Sequence, residues 1–475
     1  MTITVPRAGN RPIPAPAEVP KTRRHVVGVT LFAVIAALLP LDRFLLTDAT
    51  VSSRVSWGVI ILLALCVIGR RTARPPFPFV WISALVLIPL GGFLSGTTTN
   101  INSSLQVAVP LALMVALAPF VLRYYVLKSR AFLWVVGFAF VAAQSYSAAM
   151  GIWQLFGGTP FETKLIFGRI TGLAGHPNVL GIMSVIAMLG LLAALPRTRG
   201  GFRALAVVLL LLNVSALVFS GSLSSMLAAT AGLVVILAVK RRLIATFVTV
   251  VLGGTFVAIF AGAGGLDPFA ALSPVTTRVE VVLGTADVDG GAASLSTRIL
   301  TYEWAWRFIT ADPLIGVGMD ATNAGTYNGY TPVHNYILHA WYRGGLFFFI
   351  WQVFATVAYL RLLIHAVRTK LEAVPAGLMM AVVVFAATSA FYDQQSYWLP
   401  LLLAVACQAG PKRAPAEPSV SRPVAATPQA GVGPVVPRDS RTDRPAAELT
   451  TALTELVDGS GSKDGVGGRS NVLDG

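Results

Sequence analysis

Three segments of the sequence carry side chains that could bind an anion or accept a proton. Arg169 and Arg298 each supply a guanidinium, a permanent cation whose planar fork of N–H groups matches phosphate. His334 supplies an imidazole, which is neutral and basic near pH 7. These side chains lie in GRITGLAGHPN at 168–178, in STRILTYEWAWRFITADPLIGVGMD at 296–320 and in VHNYILHAWYRGGLFFF at 333–349.

The first segment places Arg169 before a predicted helix that starts at Pro177, because proline is favoured in the first turn of a helix. A guanidinium beside a helix N-terminus forms an anion site, and Gly172 and Gly175 would let backbone N–H groups approach a ligand. The alternative is that Arg169 anchors the chain at a lipid–water interface and that His176 only forms the helix-entry turn. Both interpretations stay open.

The second segment predicts a helix that Ser296 or Thr297 can cap and that ends near Thr310, before Asp312 and Pro313. Its aromatic side chains predict that the helix lies against the membrane surface. They are Tyr302, Trp304, Trp306 and Phe308.

Arg298 is the best candidate in this region for contact with an anionic ligand. It has no acidic residue three or four positions away, whereas Arg307 has Glu303 as a partner at i−4. Arg278 ranks lower because Glu280 is nearby.

The third segment places His334 and Asn335 where an outer helix is predicted to begin. A neutral imidazole there could take a proton from a hydroxyl group. The alternative is a histidine that is hydrogen-bonded in a loop–helix junction. His339 and Arg343, one helical turn apart, are interpreted as anchoring residues.

Metal and cofactor sites are not expected. Asp287-Val288-Asp289 matches a short metal-binding pattern, but loop carboxylates are usually solvated. No phosphate-binding P-loop, zinc-binding histidine pair or dinucleotide fingerprint occurs. The two cysteines, Cys66 and Cys407, lie inside apolar runs and predict neither a disulfide framework nor a metal centre.

The composition indicates what must position these residues. Apolar residues make up 55% of the 475-residue chain and charged residues only 12%, against usual values of about 45–50% and about 25%. The mean hydropathy is +0.72. A soluble protein needs more polar surface, so most of the chain must face lipid. The net charge of +15 therefore does not indicate nucleic acid as a partner.

The predicted fold is an all-α polytopic integral membrane protein with about twelve transmembrane helices. Asp, Glu, Lys and Arg are absent from the apolar stretches except for Arg54 near the start of the second. The stretches are 26–41, 51–69, 75–94, 102–122, 131–157, 177–196, 204–219, 222–239, 243–262, 344–360, 373–391 and 396–410.

The charges between these stretches predict the orientation. With the N-terminus in the cytoplasm, the inner connections hold fifteen basic residues and one acid, Glu372. The outer connections, with Arg54 included, hold eight basic and eleven acidic residues. Because basic residues concentrate on the cytoplasmic side, both termini are predicted to be cytoplasmic.

Residues 26–410 form the predicted transmembrane domain, between a basic, Pro-rich tail at 1–25 and a disordered tail at 411–475. Two long outer connections interrupt the domain, at 158–176 and at 263–343, the latter before the tenth helix. Long loops in an otherwise economical protein are usually functional, so chemistry is expected on the outer face.

The topology and four motifs together resemble the O-antigen ligase/Wzy-type polymerase superfamily. The motifs are RITGLAGHPN, SGSLSSMLA, RILTYEWAWRFITADPLIGVG and HNYILHAWYRGG. The resemblance covers most of 30–405 and is strongest over 165–350. It implies a GT-C-like fold in the bacterial cytoplasmic membrane. It also implies an enzyme that moves a glycan from undecaprenyl diphosphate to a glycan, lipid or cell-wall acceptor hydroxyl, without a metal or other cofactor.

Carried over by motif, the resemblance implies catalytic roles for Arg169, Arg298 and His334. A second set is predicted to bind substrate, and consists of His176, Asn335, Trp304, Arg278, Gly316 and Gly318. One departure concerns the turn before the eighth helix, where many members carry Ser-Arg. Here 220–225 is SGSLSS, without arginine, so another residue must supply the charge or the substrate differs.

Two other classes of protein remain as alternatives. A transporter of a small solute or glycolipid would place ionisable groups within the membrane helices, where this sequence has almost none. A non-catalytic scaffold would tolerate replacement of Arg169, Arg298 and His334. Within the superfamily, no residue distinguishes a ligase from a polymerase.

Overall fold

The computed structural model describes residues 23–41, 49–240, 291–320, 327, 331–389 and 395–408. These residues form α-helices, with two isolated β-bridges and no strand among them. The helices are α1 (Arg23–Leu38), α2 (Ala49–Ile68), α3 (Pro78–Gly96), α4 (Ile101–Lys128), α5 (Arg130–Leu155), α6 (Pro177–Ala194), α7 (Gly200–Phe219), α8 (Leu223–Lys240), α9 (Gly291–Ala311), α10 (Tyr336–Thr369), α11 (Ala373–Ala386) and α12 (Gln395–Cys407).

Seven of the described helices are long and apolar enough to cross a membrane: α3 to α8 and α10. Four shorter apolar helices lie at His25–Leu41, Ser56–Ile68, Ala373–Ala386 and Tyr397–Cys407. The all-helical, polytopic membrane fold predicted from the sequence is thereby confirmed. The predicted span at 243–262 and the tail at 411–475 lie outside the described residues, so the number twelve stays a prediction.

Small residues bring neighbouring helices into close contact. A Cβ atom on Gly91 of α3 would lie 2.5 Å from the carbonyl oxygen of Gly344 in α10. A Cβ on Gly232 of α8 would lie 2.8 Å from the carbonyl oxygen of Gly377 in α11. Backbone contact of this kind is how membrane helices gain packing energy where lipid removes the hydrophobic driving force.

Helix α10 doubles back on itself at Gly345, where the backbone leaves helical geometry with φ 64° and ψ −164°. The hydroxyl groups of Tyr336 and Thr356 are 2.9 Å apart although 20 residues separate them. In a straight helix they would be about 30 Å apart. The segment 336–344, here α10a, therefore folds back along 346–369, here α10b. The start of α10a is thus carried towards the middle of α10b.

Residues 314–318 supply the backbone hydrogen bonds that the break in α10 removes. The peptide N–H groups of Val317 and Gly318 donate to the carbonyls of Tyr342 and Arg343 at 2.9 and 3.0 Å, and Leu346 donates to Leu314 at 3.1 Å.

Gly316 and Gly318 have positive φ angles of 74° and 104° in this segment. Both glycines shape a backbone that pairs with α10, and their role in substrate binding stays a prediction.

Replacing Gly316 with alanine is expected to destabilise the fold by about 1–3 kcal/mol, because the residue would be both strained and overpacked. The new Cβ would lie 2.5 Å from the backbone nitrogen of Gly345. Thermal unfolding of the purified protein in detergent measures the change. Gly137→Ala in α5, where a Cβ would meet nothing within 4 Å, is the matched control. Equal melting temperatures for the two variants would contradict the packing role.

Helix α9 begins earlier than predicted. It starts at Gly291, so Ser296 and Thr297 lie inside the helix and do not cap it. Its end is as predicted, because a carboxylate oxygen of Asp312 accepts hydrogen bonds from the N–H groups of Leu314 and Ile315, both at 3.2 Å. This turn directs the chain into the segment that pairs with α10.

Candidate functional site

Arg169 lies at the end of a tight turn and is almost completely buried, at 4% exposure. Its Nε donates to the carbonyl oxygen of Ser220 at 2.6 Å, and its Nη2 donates to the side-chain oxygen of Asn178 at 2.8 Å. The guanidinium thus connects the segment before α6 to the turn between α7 and α8.

The start of α6 at Pro177 is confirmed. His176 is its N-cap, and Nδ1 of this histidine accepts from the N–H of Asn178 at 3.2 Å. The carbonyl of Asn178 accepts from the hydroxyl of Ser225 at 3.3 Å. His176, predicted to bind substrate, thus caps the helix on which Asn178 holds Arg169.

The expectation that Gly172 brings backbone N–H groups to a ligand is wrong. The N–H groups of Thr171 and Gly172 donate to Oε1 of Gln154 at 2.9 and 3.2 Å, and that of Leu173 donates to the Ser147 hydroxyl at 3.0 Å. A Cβ on Gly172 would lie 2.5 Å from the carbonyl oxygen of Ser147. The glycine allows close packing on α5, whose polar side chains use these donors.

Both arginines contact the segment 220–225, here called the serine turn, which includes the first three residues of α8. Nη1 of Arg298 lies 3.4 Å from the hydroxyl of Ser224, and Arg169 donates to Ser220. Gly221 has φ 55°, and a Cβ there would lie 3.3 Å from Nε of Arg169. The serine turn contains no arginine. Arg169 packs over its glycine, Gly221, and Arg298 lies beside Ser224 in the first turn of α8.

The side chain of Arg298 extends from α9, is half-buried, and lies near the start of α8. Burial lowers the pKa of its guanidinium, and the neighbouring Tyr302 acts in the opposite direction. Partial removal from water makes a cation more responsive to an anion that binds beside it.

Tyr302 connects Arg298 to His334. It lies one helical turn after Arg298 on α9, and its hydroxyl donates to the carbonyl oxygen of His334 at 3.0 Å. The residue was predicted only as a membrane-facing aromatic side chain. Its position shows that α9 places Arg298 and the backbone of His334 beside one another.

His334 is a neutral imidazole in this setting. Burial, followed by the positive charge of Arg298, lowers the pKa of His334 to about 4, while the Pro332 carbonyl acts in the opposite direction. Its Nδ1 atom is buried and has no hydrogen-bond partner among the described residues. An imidazole that stays neutral near pH 7 can accept a proton from a hydroxyl group that comes within hydrogen-bond distance of a ring nitrogen.

Asn335 and Trp304, both predicted to bind substrate, make framework contacts. Oδ1 of Asn335 accepts from the N–H groups of Ile337 and Leu338 at 3.1 and 3.0 Å, which caps α10a. The indole N–H of Trp304 donates to the Tyr342 hydroxyl at 3.0 Å. These contacts fix the helix start that carries His334 and pack α9 on α10a.

His339 and Arg343 hold the outer segments in place, in line with the anchoring interpretation. Nδ1 of His339 lies 2.9 Å from the carbonyl oxygen of Val333, and Arg343 donates to the carbonyl oxygen of Asp320. Both side chains are buried in the protein, at 3% and 5% exposure.

The remaining predicted residues fall outside the part of the chain that the structure describes. They are Arg278, Asp287 and Asp289. Within the described part, no group of three or more His, Cys, Asp or Glu side chains could hold a metal ion.

The architecture is that of a polytopic membrane protein with cationic groups and a neutral histidine gathered at one end of α6, α8 and α10a. Residues 205–352 match the model of the O-antigen ligase family, Wzy_C, a range that contains the serine turn, Arg298 and His334. This match supports assignment of the chain to the O-antigen ligase/Wzy-type superfamily. The family implies a membrane glycan ligase or polymerase of cell-surface polysaccharide. No curated protein matches the chain.

Proposed function

We propose that this protein transfers a glycan from an undecaprenyl-diphosphate carrier to an acceptor hydroxyl at the outer face of the cytoplasmic membrane. The observation that carries the proposal is the convergence of Arg169 and Arg298 on the serine turn, beside His334. These side chains come from three distant parts of the sequence. Their types are those that a reaction with a departing diphosphate and an attacking hydroxyl requires.

Arg298 is the group that contacts the diphosphate in this proposal. Its only hydrogen bond to a described side chain is the long one to Ser224, at 3.4 Å. A half-buried guanidinium with donors to spare can turn towards phosphate oxygens and stabilise the charge that accumulates as they leave. This role requires no metal ion.

Arg169 does not contact the diphosphate in this proposal but supports the site from within the protein. Its Nε and Nη2 are committed to Ser220 and Asn178, and the side chain is 4% exposed. It therefore holds the serine turn in position and adds positive potential to the place where the diphosphate binds. The resemblance implies direct catalysis by Arg169, whereas this geometry favours positioning.

His334 is the proposed general base. The acceptor oxygen forms a bond to the anomeric carbon, the bond from that carbon to the diphosphate oxygen breaks, and the hydroxyl proton moves to the imidazole. The electron pair of the broken bond stays on the lipid diphosphate. Direct displacement inverts the anomeric configuration.

The charge on the donor strengthens this base. Arg298 lowers the pKa of His334, and a bound diphosphate beside Arg298 would offset that effect. The pKa of His334 would then rise in the complex, which makes the imidazole a better proton acceptor when substrate is present.

The pH dependence follows from the same charges. His334 with a pKa of about 4 is neutral above that pH, so kcat/KM is expected to fall only as the pH approaches about 4. In Arg298→Gln the lowering by the cation is lost, so the acidic limb is expected to move to higher pH. Residual transfer measured from pH 4 to 8 tests this shift. Arg307→Gln on the same helix is the control, and equal limbs in both variants would contradict the coupling.

A deletion strain tests the proposed function in the cell. Accumulation of full-length carrier-linked glycan would indicate a ligase, and accumulation of single repeat units would indicate a polymerase. Unchanged surface glycans would contradict both. Loss of solute uptake with normal glycans would favour the transporter class instead.

Orientation is part of the proposal. Both termini are placed in the cytoplasm and residues 263–343 outside, because basic residues concentrate in the inner connections. Cysteine labelling of Arg307→Cys in intact cells is expected to succeed with a membrane-impermeant reagent. Labelling only after lysis would reverse the orientation.

A further inference from the structure

A cavity of about 340 Å³ lies between the start of α3 and the last third of α4. In the proposed orientation, this end of the two helices faces the cytoplasm, on the side of the membrane away from the candidate site. A cation, a hydroxyl group and apolar side chains share its wall. The lining includes Arg74, Thr72, Phe79, Ile82 and Phe120.

Arg74 lies on a connection whose backbone is fixed to both helices. The N–H of Ala73 donates to the carbonyl oxygen of Phe120 in α4 at 3.0 Å. The indole N–H of Trp81 in α3 donates to the carbonyl oxygen of Pro76 at 2.8 Å. Because Arg74 lies between these two hydrogen bonds, its guanidinium extends from a backbone that is held in place beside the cavity.

Helices α2 to α5 and the connections between them contain no acid that could neutralise Arg74. The sequence from 49 to 161 holds seven basic residues and not one Asp or Glu. Arg74 is exposed and makes no hydrogen bond or ion pair with another described residue. Among the described acids, Glu372 is the one in an inner connection, and it contacts Gln408 at the end of α12. Arg74 therefore presents a full positive charge to the molecule that fills the cavity.

The charge of Arg74 distinguishes between the lipids that could cover this cavity. Phe79 and Ile82 are 78% and 49% exposed, and the acyl chain of any lipid can cover them. A zwitterionic headgroup carries its own cation beside its phosphate, so it leaves the positive charge of Arg74 uncompensated. A headgroup with a net negative charge neutralises the guanidinium while its acyl chain covers the apolar wall.

We propose that this cavity binds an anionic phospholipid of the inner leaflet, whose phosphate contacts Arg74 and the hydroxyl group of Thr72. Basic pockets between membrane helices on the cytoplasmic side bind acidic headgroups in this way, and the planar guanidinium matches a phosphate. The acyl chain extends along Phe79 and Ile82. The inference is independent of the proposed glycan transfer, because none of these residues belongs to the candidate site.

Lipid titration of the purified full-length protein, followed by native mass spectrometry, measures the binding. The wild type is expected to bind phosphatidylglycerol about fivefold more tightly than phosphatidylcholine with the same acyl chains, the effect of one arginine on an anionic lipid. Arg74→Gln is expected to remove this preference by weakening the binding of phosphatidylglycerol alone. Arg74→Lys keeps the charge and is expected to stay within twofold of the wild type.

The matched control is Arg70→Gln, because Arg70 is an exposed arginine on the same connection that does not line the cavity. It is expected to change phosphatidylglycerol binding less than twofold. Equal losses in the two variants would mean that the lipid responds only to surface charge, and would overturn the inference. The melting temperature of lipid-free Arg74→Gln is expected to equal that of the wild type, which separates loss of binding from loss of folding.

Three further results would contradict the site. Equal affinity of the wild type for the two lipids would mean that bulk lipid fills the cavity. Displacement of phosphatidylglycerol by inorganic phosphate would mean that a free anion is the ligand. A photoreactive residue in place of Ile82 is expected to crosslink to phosphatidylglycerol, whereas a crosslink to 411–475, which holds eight acidic residues, would make the tail the occupant.

Discussion

Replacing Arg298 with glutamine is expected to reduce kcat for glycan transfer by about 10²–10³-fold, the usual loss when one donor to a developing negative charge is removed. Glutamine keeps a polar side chain but has no charge to stabilise the departing diphosphate. Arg298→Lys keeps the charge without the planar fork and is expected to lie between the two. The measurement is single-turnover transfer by purified protein in nanodiscs, with a carrier-linked donor.

The matched control for Arg298→Gln is Arg307→Gln, which alters an exposed arginine nine positions later on the same helix. It is expected to change kcat less than twofold. Melting temperatures of both variants should equal that of the wild type, because Arg298 contributes one long hydrogen bond to the fold. Undiminished transfer by Arg298→Gln would remove this residue from the reaction.

Replacing His334 with alanine is expected to lower kcat by about 10²–10⁴-fold, the contribution typical of a positioned acid or base. The buried Nδ1 atom without a partner would be lost, and the acceptor hydroxyl would retain its proton. Added imidazole is expected to restore part of the rate, because the substitution leaves space where the ring had been. Transfer rates measured at increasing imidazole concentration test this rescue.

His365→Ala on α10b serves as the control for His334→Ala, because His365 lies far along the helix towards the opposite end of the span. Neither its rate nor its response to imidazole should change. A His334→Ala variant that transfers glycan at the wild-type rate would exclude the base. A slow variant without rescue would assign His334 to positioning.

The membrane helices could be predicted because lipid leaves a chain few alternatives. Every backbone N–H and C=O group in hydrocarbon must be satisfied within the protein, so a long apolar stretch such as 102–122 becomes a helix. The start of α6 and the end of α9 could also be predicted, because Pro177 favours a helix start and Asp312-Pro313 ends a helix whatever the distant contacts are.

The reversal in α10 could not be predicted, since it depends on contacts between distant residues. Gly345 can interrupt the helix only because 314–318 supplies the missing hydrogen bonds, and Tyr336 reaches Thr356 only after the chain has turned. A sequence pattern shows that a glycine is tolerated at a position, but it does not show which backbone lies against it. The resemblance of its motif assigns Gly316 to substrate, and that motif carries no information about the contact with Gly345.

The candidate site, like the fold, could be predicted from the sequence only in part. Arg169, Arg298 and His334 could be singled out because charge and basicity are properties of the residue itself. Asn178 and Ser224, which hold the two arginines, were missed because such polar residues at helix starts are ordinarily caps. The resemblance assigns Trp304 to substrate binding by its motif position, which does not predict its hydrogen bond to Tyr342.

The central claim is that Arg298, supported by the positive potential of Arg169, stabilises a lipid diphosphate at the membrane surface while its glycan leaves for a hydroxyl acceptor. Purified protein in nanodiscs, given polyprenyl-diphosphate glycan and an acceptor lipid or glycan in the presence of a chelator, tests it directly. The expected result is release of one polyprenyl diphosphate for each glycan transferred, and loss of both products in Arg298→Gln. Folded wild-type protein that leaves the donor intact, whatever hydroxyl acceptor is supplied, would contradict the claim.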